Sequence, residues 1–79
     1  MIGMNVPEAV AEELARARVK HEAMNSLHEA YAVILEELDE FWEEAKSWRG
    51  THRAYDAEKA RKELVQVAAM AIRAAEDLF

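Results

Sequence analysis

Apolar residues recur at helical intervals along three stretches of this chain, and no run alternates apolar and polar residues as a strand would. In the first stretch Val6, Val10, Leu14 and Ala17 form one stripe, with Glu12, Glu13, Arg16 and Lys20 on the opposite face. Asn5 is a capping residue, Pro7 suits a first turn and Glu8 is an early acid. A helix is predicted over about 6–20. Arg16, Arg18 and Lys20 gather near its end, where they complement the helix dipole; contact with an anionic ligand is the alternative.

The period breaks over residues 21–26, and Ser26-Leu27-His28-Glu29 then reads as an S-x-x-E capping box. From there Leu27, Tyr31, Ile34, Leu38, Phe41, Ala45 and Trp48 advance by steps of four and three. That is the spacing of a buried seam in a helical bundle, and Leu35 and Trp42 widen it. With Gly50 as the stop residue, a second helix is predicted over about 27–48. After a polar connection, Asp56 caps a third helix over about 56–78. Its second half, from Leu64 to Ala75, is apolar around most of its circumference, as in a helix covered by more than one neighbour. Three helices do not enclose one of their own. The expected fold is therefore all-α, a single domain over residues 1–79, whose three-helix protomer completes a four-helix-bundle-type core by homo-oligomerisation. A homodimer and a homotetramer both suit the seam, and a monomer with a tolerated Ala-rich face is the competing reading.

Seventy-nine residues lie near the lower limit for a chain that buries an adequate core unaided, which also favours self-association. The absence of cysteine excludes disulfides and thiolate metal sites. It also fits an intracellular setting. No long apolar run is present, and residues 1–10 lack a signal peptide's basic and apolar segments, so the expected location is cytoplasmic with no membrane partner. A net charge of -6 argues against stable binding to nucleic acid or an anionic membrane. A small anion carried by a bound metal remains compatible with it.

The acids are unevenly placed. Residues 36–44, Glu-Glu-Leu-Asp-Glu-Phe-Trp-Glu-Glu, hold six acids in nine positions, and no Lys or Arg occurs between Lys20 and Lys46. Like charges at i,i+4 cost a helix about 0.2–0.5 kcal/mol per pair. A solvated acidic face is one reading of this stretch, and a bound cation that relieves the repulsion is the other. At about 100° per residue from Glu36, Glu40, Glu44 and Glu37 fall near 40°, 80° and 100°, beside a seam at about 120° to 260°. Asp39 and Glu43 point further toward solvent. On the third helix Glu63 falls among apolar residues, between Met70 and Ala74, with Arg73 and Asp77 further out. A carboxylate on a packing face costs several kcal/mol unless it is paired or bound to metal. Arg49, Arg53 and Lys46 are candidate partners. In the sharper reading Glu63 faces Glu37 and Glu40 around a cation.

Glu36-Glu37-Leu38-Asp39-Glu40 is an EExxE, and Glu63, 23 positions after Glu40, opens Glu63-Leu64-Val65-Gln66. This pattern resembles the EExxE followed by ExxD of the MazG-type, all-α nucleoside triphosphate pyrophosphohydrolases. The likeness spans about Ser26 to Leu78. It is closest to the short MazG-like proteins often encoded by phages, whose second helix reads much like residues 28–37 here. The resemblance implies hydrolysis of an NTP or dNTP to the monophosphate and pyrophosphate, with Mg²⁺, or Mn²⁺ in its place, held by Glu37, Glu40, Glu63 and Gln66. Glu36, Glu37, Glu40 and Glu63 are then the catalytic acids, with Glu36 an additional ligand or the group that orients the attacking water. The chain departs from the pattern at Gln66, a neutral carbonyl donor where the family has Asp, which leaves the number of metals open.

Lys46, Arg49, Arg53 and Lys59 are the nearest basic residues for the phosphate tail, and solvent exposure is the alternative for each. His28 is a candidate nucleotide contact, with capping or solvation as its alternative. No E-x-x-H and no H-E-x-x-H occurs, so neither a di-iron bundle site nor a zinc protease helix is indicated. The rival expectation is a non-catalytic helical oligomerisation or partner-binding module that keeps the MazG-like scaffold.

Overall fold

The three periodic stretches fold as three α-helices in a computed structural model: α1 (Val6–Lys20), α2 (Leu27–Gly50) and α3 (Ala57–Leu78). The structure describes residues 4–50 and 57–79, with the backbone alone over 47–50. The described residues contain no strand. α2 continues through Gly50, two residues beyond the expected end at about 48, and the polar connection and the Asp56 cap lie outside the described residues.

Local chemistry sets the ends. Asn5 caps α1: its side chain accepts from the Glu8 amide at 2.9 Å, and Glu8 Oε1 accepts from the Asn5 amide at 3.4 Å. At the start of α2 the box is displaced by one residue. Ser26 Oγ accepts from the Glu29 amide at 3.0 Å, but Glu29 Oε1 takes the Asn25 amide at 2.6 Å rather than that of Ser26. Both devices satisfy amides that a helix start leaves unpaired.

α3 is the central element. It packs against both α1 and α2, whose backbones do not approach one another among the described residues. The core joins Val10 and Ala17 of α1, Ala30 of α2 and Val65, Ala69 and Met70 of α3, with Met24 entering from the connector between α1 and α2. Burying a side chain the size of Met24 stabilises the fold by about 1.5–3 kcal/mol and pins that connector.

Two sequence expectations are corrected. Arg73 and Asp77, placed outward on the helical wheel, lie inside: Arg73 is only 5% exposed, and the Asp77 side chain only 6%. The connector crosses over them. Arg73 donates to the Glu22 carbonyl at 2.6 Å, and Asp77 accepts from the Met24 amide at 2.9 Å. Arg18 of α1 closes the same corner, reaching Asp77 at 2.8 Å and Glu76 at 2.6 Å. A pair of charges so placed is tolerable because each also meets a backbone group of the connector.

The second correction concerns the α2 seam. Leu27, Tyr31, Leu35, Leu38 and Trp42 are exposed in the protomer, Tyr31 at 70% and Trp42 at 50%. Ala30 is buried, and Val33, Ile34, Phe41 and Ala45 are half-buried. The apolar arc of α2 is wider than its one neighbour, α3, can cover. Contact falls on the edge of the arc that also carries Glu37. On the open side of α3, Leu64 and Ile72 are exposed as well. No described helix is long and apolar enough to cross a membrane.

Candidate metal centre

Glu63 lies in the first half of α3, in register with the acidic middle of α2. Lys59 reaches Glu44 at 3.4 Å, and the Gln66 amide, two turns further along α3, reaches Glu37. The two helices therefore run in opposite directions, and Glu63 falls between those two contacts, opposite Glu37 and Glu40. One carboxylate oxygen from each of Glu37, Glu40 and Glu63 lies within 4.8 Å of the others. Glu63 is buried, 8% exposed, Glu37 is half-buried and Glu40 faces solvent.

Such a grouping is electrostatically unfavourable, and the acidities register it. Burial pushes the Glu63 carboxyl above the ordinary glutamate range, and a hydrogen bond with Glu40 and that residue's charge push it further; Lys59 and Lys62 oppose the rise. Burial also raises Glu37, reinforced by Glu40, Glu63, Glu13 and Glu36. Both shifts disfavour the charged form for the reasons expected of crowded carboxylates.

Gln66 completes the group. With the amide assigned nitrogen toward the carboxylates, its NH2 donates to Glu37 Oε1 and to Glu63 Oε1, each at 3.0 Å. An amide oxygen in that position would face two carboxylates, so the hydrogen-bond network fixes the nitrogen there.

The residues fit a small hard cation. The three carboxylates offer only oxygens, the chemistry that magnesium and manganese prefer. Oxygens around one magnesium ion lie about 3 Å apart when adjacent and about 4.2 Å apart when opposite, so a group within 4.8 Å draws inward when all three ligate.

The other candidate residues are spread around this group. Glu36 is exposed beside Glu37. Asp39 and Glu43 are exposed, as the wheel predicts, and Glu43 pairs with Lys46 at 3.1 Å. Lys46 is thereby held on the outer face, away from Glu63. Lys59 stands next to the centre through Glu44. His28 is exposed in the first turn of α2. The Arg49 side chain and Arg53 lie outside the described residues.

A cavity of about 440 Å³ opens beside Glu36 and Glu37, and Arg16, Lys20, His21 and Arg73 also line it. Its size is that of a small-molecule pocket, about 300–1,000 Å³. Sequence reasoning missed two contributions here. Glu13 of α1 acts on Glu37, and Lys62 acts on Glu63. The signal for Glu13 was weak, because its helix packs on α3 and not on α2. Lys62 adjoins Glu63 in the chain and was legible. Compared with known protein families, curated proteins and solved structures, the chain matches none.

Proposed function

We propose that the protein is a Mg²⁺-dependent nucleoside triphosphate pyrophosphohydrolase that works as a homo-oligomer. The observation carrying this reading is the convergence of Glu37, Glu40 and buried Glu63 from two helices, the grouping implied by the EExxE and Glu63 resemblance. A buried acid drawn toward two others is hard to explain as a solvated charged face.

In this reading Glu37, Glu40 and Glu63 hold the cation, with Gln66 as a neutral fourth donor. When bound, the ion supplies the positive charge that offsets the triphosphate oxygens. Glu36, exposed beside Glu37, orients a water toward the α-phosphorus and accepts its proton as the water oxygen bonds to phosphorus. The bond from that phosphorus to the bridging oxygen breaks, and pyrophosphate leaves. Lys59 and Lys62, close to Glu63, offer positive charge for the departing group. The cavity beside Glu36 and Glu37 leaves room for the rest of the nucleotide.

The stripe of Leu27, Tyr31, Leu35, Leu38 and Trp42, with Leu64 and Ile72 nearby on α3, supports self-association. A second copy covering it would complete the bundle.

Incubating the full chain with a panel of NTPs, dNTPs and modified nucleotides plus Mg²⁺ should release pyrophosphate from at least one member. Release no greater than from the Glu37→Gln, Glu40→Gln variant on every member would rule the enzyme out. One observation favours the rival, a non-catalytic helical module: the Gln66 NH2 already satisfies two of the carboxylates without metal.

A further inference from the structure

We propose that Gln66 determines when this centre accepts a cation: its NH2 takes the cation's place between Glu37 and Glu63, and the amide must turn over before its oxygen can ligate. The inference rests on the reading of the three carboxylates as a cation site, and adds to it a role for the residue that departs from the motif.

An amide NH2 has two protons to donate and no charge. Assigned by its hydrogen-bonding surroundings, it meets one carboxylate oxygen on α2 and one on α3, each at 3.0 Å. It bridges the two helices in the manner of a bound ion, with two hydrogen bonds instead of two coordinate bonds. Once a cation occupies the group, the requirement inverts. The carboxylates then point at the ion, an N–H donor aimed the same way is repelled, and the carbonyl oxygen is the favoured end. Rotation by about 180° about the terminal side-chain torsion exchanges them, and that torsion is broad and two-fold. An aspartate in this position has no such second state, because it can only add negative charge to an already crowded group.

Two consequences follow for Gln66. Without metal it stabilises the pairing of α2 with α3. With metal it lowers affinity, because the bridge must be broken and the replacement ligand is neutral. Gln66 is thus a positioning residue that holds Glu37 and Glu63 in reach of one another and raises the metal concentration at which they are claimed.

The test uses a convenient property of the chain. Gln66 is its single glutamine, and Asn5 and Asn25 are the only other side-chain amides. Three side-chain NH2 pairs are therefore expected in a ¹H–¹⁵N spectrum of the full-length protein. Titration with MgCl₂ should move the Gln66 pair and leave the Asn5 and Asn25 pairs in place. Gln66→Asp should reach half-saturation, read from the Glu37 and Glu63 backbone amides, at about a tenfold lower Mg²⁺ concentration. Gln66→Met, close in shape but without the amide, should melt at a lower temperature than the parent in metal-free buffer.

The outcomes separate the two claims. If Mg²⁺ shifts the Glu37 and Glu63 amides while the Gln66 pair stays put, or if Gln66→Asp saturates with the parent, the role of Gln66 is refuted and the centre stands. No Mg²⁺ response in either the parent or Gln66→Asp removes the centre and this inference with it. A Gln66→Met chain as stable as the parent without metal overturns the bridge.

Discussion

Glu40 of α2 and Glu63 of α3 each bring a carboxylate oxygen within 4.8 Å of the other. Carboxylates that close repel one another, and burial together with Glu40 raises the Glu63 pKa. In the metal-free centre the Gln66 amide, between Glu37 and Glu63, offsets part of that repulsion.

The raised pKa values of Glu63 and Glu37 fix the direction of a pH effect. Above the ordinary glutamate value of about 4.3, the folded chain retains protons that the unfolded chain has lost. Stability from these two groups is complete below that value and disappears as pH rises through their raised pKa values. Asp77 behaves oppositely. Arg18 lowers its pKa, so its contribution is present above the ordinary aspartate range and is lost as pH falls through the folded value. In metal-free buffer the melting temperature should decline from mildly acidic toward neutral pH, and Glu63→Gln should flatten that decline. A parent profile that rises across the same interval would refute the protonated centre.

Arg73 offers a stability test remote from the chemistry. Its guanidinium meets the Glu22 carbonyl at 2.6 Å and lies 3.7 Å from Asp77. Arg73→Met keeps much of the buried chain but orphans that carbonyl, leaving Asp77 with Arg18. The expected loss is about 2–3 kcal/mol in urea denaturation. A loss under about 0.5 kcal/mol, the range of ordinary surface substitutions, would mean that the connector is not clamped there.

The exposed stripe on α2 makes a separate prediction. Sedimentation velocity should find the parent chain self-associated, and the double substitution Tyr31→Glu, Trp42→Glu should return it to single protomers with helical content unchanged. A monomeric parent at the same concentrations contradicts self-association through this face.

Much of this arrangement was legible in the residues. Asn5, Pro7 and Glu8 fixed the start of α1, and periodicity alone placed Val10, Ala17 and Glu63 inward. The register of Glu63 against Glu37 and Glu40 followed from wheel geometry and the motif resemblance together. What stayed hidden depended on contacts between distant segments. The helical wheel put Arg73 and Asp77 outside because it carries no information about the connector that crosses them. It put Leu27, Tyr31 and Leu38 in a buried seam because an apolar arc does not say how many neighbours are available. Gln66 was readable as a departure from the motif, but its bridge between two carboxylates required the positions of both helices.

Neutralising the centre should separate its cost from its use. Glu40→Gln removes one of the crowded carboxylates, so the metal-free protein should hold its melting temperature or gain stability equivalent to about 1 kcal/mol. A loss of more than that amount without metal would show that the Glu40 carboxyl serves a structural role instead.

The most direct measurement is the melting temperature of the full chain titrated with Mg²⁺, with and without a non-hydrolysable nucleoside triphosphate. A ligand that binds only the folded state raises stability by mass action, about 2.7 kcal/mol at one hundred times its dissociation constant. A Mg²⁺-dependent rise in the parent, enlarged by nucleotide and absent from Glu37→Gln and Glu63→Gln, is the expected result. A parent curve that does not move with Mg²⁺, or that moves equally in both variants, would contradict a metal centre at Glu37, Glu40 and Glu63.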